Sequence, residues 1–287
     1  MKYQFIKDHR DEFRVVSMCR VLCVTRSGYY KWSCASPSRR QQDNQRLVTR
    51  IRAIHTATDQ NYGALKTWHE LRASGEACGR HRVARLRKQQ GIEAKRMRRY
   101  RAAHAARNNA PAAENLLEQD FKVTQPDRVW AGDITYIPTR RGWLYLAVVL
   151  DLYSRRVIGW SMSERIDKQL AIDALMMAIQ KRCPAPGLIH HSDRGIQYAS
   201  SAYRTILKAH DMVQSMSGKG NCYDNACVES FFSNLKNEET FHRDFHERDE
   251  ARAAIFKYIE VFYNRQRSHQ TLGYRSPVRF EETAGVA

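Results

Sequence analysis

Apolar residues recur every three to four positions through three consecutive segments of residues 43–101, which predicts three helices around one small core. In the third helix, about Gly79 to Gln90, Val83 and Leu86 are expected to face inward. The other positions are largely basic, and we expect five of them to face outward and contact DNA: Arg80, Arg82, Arg85, Arg87 and Lys88. An arginine-rich outer face is typical of a recognition helix in the major groove, although a solvated basic face has the same pattern.

Residues 1–40 form a smaller predicted helical unit ahead of this basic helix-turn-helix domain. Ser17 and Thr25 are suitable N-cap residues for two short helices within residues 11–32. The order of cap, helix, turn, cap and helix fits a helix-turn-helix, and it fits a small structural helical pair nearly as well. The segment Ser36–Arg40 is expected to be a linker.

Strand patterns begin only near residue 125, after a connector that we place at residues 102–124. From residue 125 to residue 287 we expect three strands, a helix, a strand, a helix, a strand and a helix, followed by a C-terminal helical extension. Asp133 lies in the first strand, and Asp193 follows the short fourth strand. The expected fold class is an all-helical N-terminal region followed by an α+β or α/β domain with a mixed sheet.

The helix predicted within residues 223–238 has a continuous apolar stripe. Its members are Val228, Phe231, Phe232 and Leu235. Glu229 lies at the margin of that stripe, and Lys236, seven residues later, lies about 10 Å further along the same face. A carboxylate at the edge of an apolar seam is costly to desolvate unless a partner such as a metal ion neutralises it.

Charge is distributed unevenly along the chain. Residues 1–110 contain 25 lysines and arginines against 8 acidic residues, whereas residues 111–287 contain 23 against 22. This favours a nucleic-acid partner over a solubilising domain or a membrane-surface patch, because no lipid anchor or membrane-spanning run accompanies the charge. The N-terminus lacks the apolar run of a secretory signal, and the seven cysteines include no C-x2-C pair, which favours reduced thiols in a cytoplasm.

Four short motifs surround three acidic residues in order. They are W-x-x-D-I-T-Y at Asp133, H-S-D-R-G-x-Q-Y at Asp193, N-x-x-x-E-S-F-F-x-x-L-K at Glu229, and Y-N-x-x-R-x-H-x-x-L-G-Y-x-x-P, which ends at Pro277. The chain has 59 residues between the two aspartates and 35 between Asp193 and Glu229. It resembles the DDE transposases of bacterial two-frame insertion sequences, in particular their second-frame product, and the related retroviral integrases. It departs from those integrases at the N-terminus, where they carry a His/Cys zinc domain.

The resemblance implies a ribonuclease-H-like integrase core in which Asp133, Asp193 and Glu229 are the catalytic and metal-binding residues. Three carboxylates suit Mg²⁺ or Mn²⁺, and two such ions would stabilise the attacking and leaving oxygens of a displacement at phosphorus. The resemblance also implies that Lys236 contacts the terminal bases of the element, and a plain surface lysine is the alternative.

Residues beside the acids receive structural interpretations. His190 and His191 are expected to pack or form hydrogen bonds rather than bind a metal ion. Gly218–Gly220 lacks the rest of a phosphate-binding loop, and Asp224 is interpreted as a helix cap.

The implied function is a DNA transposase that binds the ends of an insertion sequence and catalyses metal-dependent cleavage and strand transfer. One alternative is a ribonuclease-H-like nuclease without strand transfer, which the basic first half argues against. Another is a non-catalytic DNA-binding repressor, which the intact acids argue against. Expected partners are DNA, further copies of this chain on paired ends, and an upstream-frame product that supplies a helix-turn-helix and a zipper. The expected location is the bacterial cytoplasm, in association with the nucleoid. The C-terminal motif residues have no predicted role beyond folding the terminus back near the site: Tyr263, Asn264, Arg267 and His269.

Overall fold

The computed structural model describes residues 1–95, 113–117, 123–218 and 225–285. The helices are α1 (Lys2–Asp8), α2 (Val15–Val21), α3 (Arg26–Ser33), α4 (Arg39–Ala57), α5 (Ala64–Ala73), α6 (Arg80–Gln89), α7 (Lys168–Arg182), α8 (Ser201–Ala209), α9 (Ala226–Glu238), α10 (Arg248–Phe256) and α11 (Pro277–Thr283). The strands are β1 (Val129–Thr139), β2 (Gly142–Asp151), β3 (Val157–Ser163), β4 (Ile189–Ser192) and β5 (Val213–Met216). Within these ranges, none of the helices has the length and apolar character needed to cross a bilayer.

Helices α1 to α3 form a small unit around a core of Ile6, Met18, Cys19 and Tyr29. Thr25 caps α3 as predicted, because its hydroxyl accepts a hydrogen bond from the Gly28 N–H at 3.1 Å. The predicted cap at Ser17 is wrong, since α2 begins at Val15 and Ser17 lies inside it. Helix α1 was not predicted, and it contributes Ile6 to the core. This unit therefore has three helices rather than two.

Helices α4 to α6 form a second unit, whose core is Leu47, Ile51, Leu71, Val83 and Leu86. A capping box between Ser38 and Gln41 starts α4 at Arg39, so the helix includes part of the segment expected as a linker. This box satisfies the N–H groups of Ser38 and Gln41 through each other's side chains, which stabilises the helix start inside a polar segment.

The five strands form one mixed sheet in the order β3-β2-β1-β4-β5. Strands β1, β2 and β3 are antiparallel neighbours, while β4 is parallel to both β1 and β5. The parallel strands are reached through α7 and α8, because such a connection needs a crossover of a dozen or more residues. The predicted order of elements is confirmed, and the first and fourth strands are neighbours in the sheet.

Helices cover both faces of the sheet. Helices α7 and α8 pack on one face, and α9 and α10 pack on the other. The predicted apolar stripe of α9 is confirmed, since each of its four members is at most 1% exposed: Val228, Phe231, Phe232 and Leu235. Burial of this stripe fixes which face of α9 is turned to β1 and therefore where its margin residues lie.

The C-terminal segment folds back onto the start of β3. The Asn264 side chain accepts a hydrogen bond from the Val157 N–H at 3.0 Å and donates one to the Val157 carbonyl at 2.9 Å. The Tyr263 hydroxyl donates to the Arg155 carbonyl at 3.1 Å. These residues of the fourth motif therefore have a structural role, because they satisfy the backbone at the turn between β2 and β3.

The C-terminal segment also contacts the second helical unit. The Tyr62 hydroxyl accepts a hydrogen bond from the Ser268 N–H at 2.6 Å and lies 3.3 Å from the Gln266 carbonyl. The Lys95 ammonium donates to the carbonyl of Glu238, at the end of α9, at 3.0 Å. Tyr62 is only 1% exposed, so the helical unit and the sheet domain share a buried contact.

Candidate active site

The sheet register places Asp133 and Asp193 side by side. Gly132 on β1 pairs with Ser192 on β4, and each aspartate is the next residue along its strand. One Asp133 carboxylate oxygen accepts a hydrogen bond from the Ile134 N–H at 2.7 Å. One Asp193 oxygen accepts from the Gly195 N–H at 2.9 Å. The two predicted acids therefore lie at the same level, Asp133 within β1 and Asp193 directly after the end of β4.

Small residues allow this close approach. A Cβ atom on Gly132 would lie 3.2 Å from the His190 ring, and a Cβ on Gly195 would lie 2.9 Å from an Asp193 carboxylate oxygen. A side chain at position 195 would therefore push against the acid itself. The glycines of the first two motifs thus keep the carboxylates in a tightly packed setting.

The two histidines form buried hydrogen bonds, as predicted. The His191 ring nitrogens lie 2.9 Å from the Ser215 hydroxyl and 3.2 Å from the Ser217 hydroxyl. His190 lies 3.0 Å from the Tyr203 hydroxyl, and burial lowers the pKa of His190 to about 3. Both rings tie β4 to its neighbours.

Helix α9 brings Glu229 toward the aspartates. The Asn225 amide, at the N-cap position of α9, donates to the carbonyl of Gly132 at 3.4 Å. Glu229 is half-buried, and burial raises the pKa of its carboxyl above the ordinary value. The contact between Asn225 and Gly132 anchors the start of the helix next to Asp133.

The acids are electrostatically strained. Burial raises the pKa of the Asp133 carboxyl well above its ordinary value, and the negative charges of Asp193 and Glu229 raise it further. Burial also raises the pKa of Asp193. Like charges in a poorly solvated site disfavour each other's ionisation, so a cation placed among these carboxylates would favour their charged forms.

Lys236 supplies one positive charge, and it is not a surface lysine. Lys236 is 6% exposed, and its ammonium lies 4.9 Å from the centroid of the Tyr136 ring. Burial lowers the pKa of the Lys236 ammonium to about 8. The attraction of Asp133 opposes that decrease. The alternative of a plain surface lysine is therefore wrong, and Lys236 belongs to the wall of the site.

The carboxylates fit a hard divalent cation by their chemistry. Oxygen ligands are what Mg²⁺ and Mn²⁺ prefer, and such ions take part of their coordination from substrate phosphate and water. Among residues 1–95, 113–117, 123–218 and 225–285, no three His, Cys, Asp or Glu side chains are close enough to hold a metal ion by themselves.

The basic helix α6 differs from its prediction at one position. Arg80, Arg85 and Lys88 are exposed, as expected, and the partly exposed Arg82 donates to the Asn44 side chain at 2.9 Å. The expectation that Arg87 faces outward is wrong.

Arg87 is 4% exposed and donates to the Thr67 hydroxyl at 3.0 Å. It follows Leu86 and lies four residues after Val83, so the helical period places it over the core of its unit.

Three further predictions fall on residues outside the described ranges. These are the cap at Asp224, most of the loop Gly218–Gly220 and most of the connector at residues 102–124.

Comparison with known proteins agrees with this geometry. A model described as integrase core domain matches residues 123–222, a second one matches residues 210–277, and an HTH-like domain model matches residues 42–100. The chain is 49% identical over 284 residues to transposase InsF of insertion sequence IS3A from Escherichia coli K12, covering 98% of each protein. The chain belongs to the family of insertion-sequence transposases. The transposase is also 47% identical over 265 residues to the uncharacterized 31 kDa protein of insertion element IS600 from Shigella sonnei, covering 92% and 97% of the two chains.

The sheet domain of the transposase has the ribonuclease-H-like integrase fold, as the resemblance implied. The HTLV-2 integrase catalytic core domain, solved in complex with magnesium, matches 55% of this chain and 97% of its own at 18% identity, with a TM-score of 0.42. The simian T-cell lymphotropic virus intasome matches 80% of this chain and 73% of its own at 15% identity, with a TM-score of 0.46.

Two residues of the transposase site were not singled out from the sequence. Asn225 opens the third motif four residues before Glu229, so the helical period places both on one side of α9. Tyr198 closes the second motif, and burial raises the pKa of its hydroxyl, with the negative charges of Asp133 and Asp193 adding to the effect. Their positions inside the motifs were the available signal.

Proposed function

We propose that this transposase cleaves and joins DNA at the ends of its element with Asp133, Asp193 and Glu229 as catalytic residues. The observation that carries the proposal is the register of β1 and β4, which puts the two aspartates at one level beside the helix of Glu229. The raised pKa of Asp133 supports it, because a group of acids that disfavours its own ionisation is poised to bind cations.

The three carboxylates would hold one or two Mg²⁺ or Mn²⁺ ions together with oxygens of the scissile phosphate. Such ions polarise the phosphate and stabilise charge on the attacking and leaving oxygens. The hydrogen bonds from the Ile134 and Gly195 N–H groups would keep the two aspartates oriented. In cleavage, a water oxygen bonds to phosphorus while the bond from phosphorus to the 3′ oxygen breaks. In joining, the freed 3′ hydroxyl oxygen loses its proton and bonds to a phosphorus of the target strand, while the bond from that phosphorus to the 3′ oxygen of the neighbouring target nucleotide breaks and that oxygen takes up a proton.

Lys236 would contact the DNA end next to the scissile phosphate. Its ammonium lies close enough to Asp133 for the two charges to attract each other. A phosphate or base at the acids would therefore lie within reach of a positive charge held by the wall of the site.

The basic first half would supply most of the affinity for DNA. Arg80, Arg85 and Lys88 are exposed on α6, and residues 1–110 contain 25 lysines and arginines against 8 acids. Phosphate contacts made by such residues release counterions, so binding should weaken steeply as salt rises. The partly exposed Arg82 would add a contact to DNA when it exchanges its hydrogen bond to the Asn44 side chain for one to a phosphate.

The partners and location follow from this reaction. Joining two ends of one element requires two active sites, so we propose that copies of the chain assemble on paired ends. An upstream-frame product with a helix-turn-helix and a zipper would complete the active assembly. The transposase would act in the bacterial cytoplasm, on the DNA of the nucleoid.

The decisive experiment uses the chain together with its upstream-frame product and a labelled duplex that carries the terminal repeat found beside the gene, with Mg²⁺ or Mn²⁺. Asp133→Asn, Asp193→Asn and Glu229→Gln should each abolish nicking and joining and leave binding of the duplex intact, because neutral amides hold hard cations poorly. Asp173→Asn is the matched control, since Asp173 is an exposed acid on α7.

Each outcome of this assay indicates a different activity for the chain. Nicking without any joining would indicate a nuclease, and binding without nicking by the unaltered chain would indicate a repressor. Joining by all three amide variants at the rate of the unaltered chain would refute the proposed site.

A further inference from the structure

Two large aromatic side chains lie exposed on the hairpin of β1 and β2. Tyr136 is 42% exposed and Trp143 is 49% exposed. Their ring centroids are 4.9 Å apart and the ring planes make an angle of 83°. Tyrosine and tryptophan are usually well buried on average, so an exposed pair on a rigid hairpin calls for a ligand or a packing explanation.

One ring of the pair lies on the strand that carries Asp133, and the other lies on its neighbour. Tyr136 is three residues from Asp133 on β1, and Trp143 on β2 pairs with Pro138, five residues from Asp133, which is about 16 Å along the strand. Strand β4 pairs with β1 only from Val129 to Gly132, so the edge of β1 beyond Asp133 is not covered by β4. Side chains alternate along a strand, so the aromatic pair and Asp133 face opposite sides of β1, and this edge joins the two sides.

Lys236 connects the pair to the acids. Its ammonium lies 4.9 Å from the Tyr136 ring centroid and is attracted by Asp133. The cation occupies one approach to the Tyr136 ring, and the two rings are nearly perpendicular, so one planar ligand cannot stack on both. The indole of Trp143 is the larger ring and the more exposed one. It is therefore the surface on which a flat ligand can stack.

We propose that Trp143 stacks on a nucleobase of the element's end, with Tyr136 bracing the indole and Lys236 bound to the backbone between that base and the acids. This rests on the proposed function, since it requires a DNA end at Asp133. The distance of about 16 Å corresponds to about five bases at 3.4 Å per base, so the stacked base lies within about five nucleotides of the scissile phosphate. Aromatic stacking on bases tolerates any sequence because every base has a π-face.

A purely structural role is the competing explanation, because aromatic residues on neighbouring strands stabilise hairpins. The test therefore needs a measurement that packing alone does not change. The probe is a terminal-repeat duplex with its last nucleotides unpaired and 2-aminopurine placed at one position at a time. Stacking on an aromatic ring quenches the fluorescence of this base analogue.

With the full chain, quenching should be largest at one or two positions within about five nucleotides of the cleavage point. Trp143→Leu keeps apolar bulk on the hairpin but removes the π-face, and it should abolish that quenching. It should also weaken end binding about five- to a hundred-fold. Trp143→Phe should restore part of both.

The salt dependence distinguishes stacking from phosphate contact. Trp143→Leu should leave the slope of log affinity against log salt unchanged, whereas Lys236→Met should reduce it by about one. Phe256→Leu is the matched control, because Phe256 is 50% exposed and lies edge-on to Trp160 at the β3 side of the domain. It should change neither quenching nor affinity.

Unchanged quenching and affinity in Trp143→Leu would overturn the stacking proposal, and cleavage by the unaltered chain would leave the proposed function standing. Position-specific quenching that Trp143→Leu abolishes, without cleavage by the unaltered chain, would support stacking and refute the catalytic proposal. A loss of thermal stability in Trp143→Leu that Trp143→Phe repairs, with quenching equal in all three proteins, would assign the pair to packing alone.

Discussion

Replacement of Arg267 by methionine should be among the most destabilising single changes in the catalytic domain. Its guanidinium makes two hydrogen bonds of 2.7 Å to the Glu238 carboxylate, and the two side chains are 7% and 5% exposed. The Tyr258 hydroxyl donates a third bond to Glu238 at 2.8 Å. Arg267→Met leaves that carboxylate buried without its cation, which costs about 3–5 kcal/mol of folding free energy.

The assay is urea and thermal unfolding of the full chain. For a protein of this size, a loss of that magnitude corresponds to a decrease in Tm of roughly 6–20 °C. Arg140→Met is the matched control, because its pair with Asp244 has side chains 58% and 67% exposed, so solvent screens the pair and its loss should change stability little. The double variant Arg267→Met with Glu238→Leu should regain most of the loss, since it removes both buried charges.

The pH dependence provides an independent check. Burial opposes ionisation of Glu238, but the charge and hydrogen bonds of Arg267 prevail and hold the pKa of Glu238 below its ordinary value of 4.5. A lowered carboxyl pKa stabilises the fold above the ordinary pKa, and this stability is lost as pH falls through the lowered value. In Arg267→Met, the free energy of unfolding should therefore decrease less than in the unaltered chain as pH falls below about 4.5. The reasoning is refuted if Arg267→Met costs no more than Arg140→Met.

Three further changes test other parts of the structure. Lys236→Met should weaken binding of the terminal duplex by about 1–3 kcal/mol in competition assays, and equal affinity would remove Lys236 from the DNA contact. Arg87→Met should lower the Tm and leave the slope of log DNA affinity against log salt unchanged. Arg85→Met should reduce that slope by about one and leave the Tm unchanged. The reverse pattern would contradict a buried Arg87 and an exposed Arg85. Tyr62→Phe leaves the buried Ser268 N–H unpaired, costs about 1–3 kcal/mol and should speed hydrogen exchange near Gln266, and unchanged exchange would contradict the contact.

The order of the elements could be predicted from short-range periodicity, and the expectation that the three acids share one site came from the family resemblance that the local motifs carry. Arg87 was assigned to an outer face by its charge rather than by its helical position. It lies directly after Leu86 and four residues after Val83, so the period alone placed it against a packed surface. Long aliphatic stems let such residues cross an apolar face while the charged end finds a partner.

Other features could not be predicted from periodicity. Arg267 and Glu238 are 29 residues apart, and Tyr62 and Ser268 are 206 residues apart. Helical and strand patterns report which face of an element is buried, and they do not report which distant segment buries it. The role of the C-terminal motif therefore required the structure.

The contact of Tyr62 and Lys95 with the C-terminal segment and with the end of α9 limits how this enzyme can be modified by module exchange. A foreign DNA-binding unit in place of the second helical unit would lack Tyr62 and Lys95. The buried Ser268 N–H would then lose its hydrogen-bond acceptor, and the Glu238 carbonyl at the end of α9 would lose the Lys95 ammonium. A chimera with altered target choice should therefore retain both Tyr62 and Lys95, or its new unit should carry a tyrosine and a lysine at those positions.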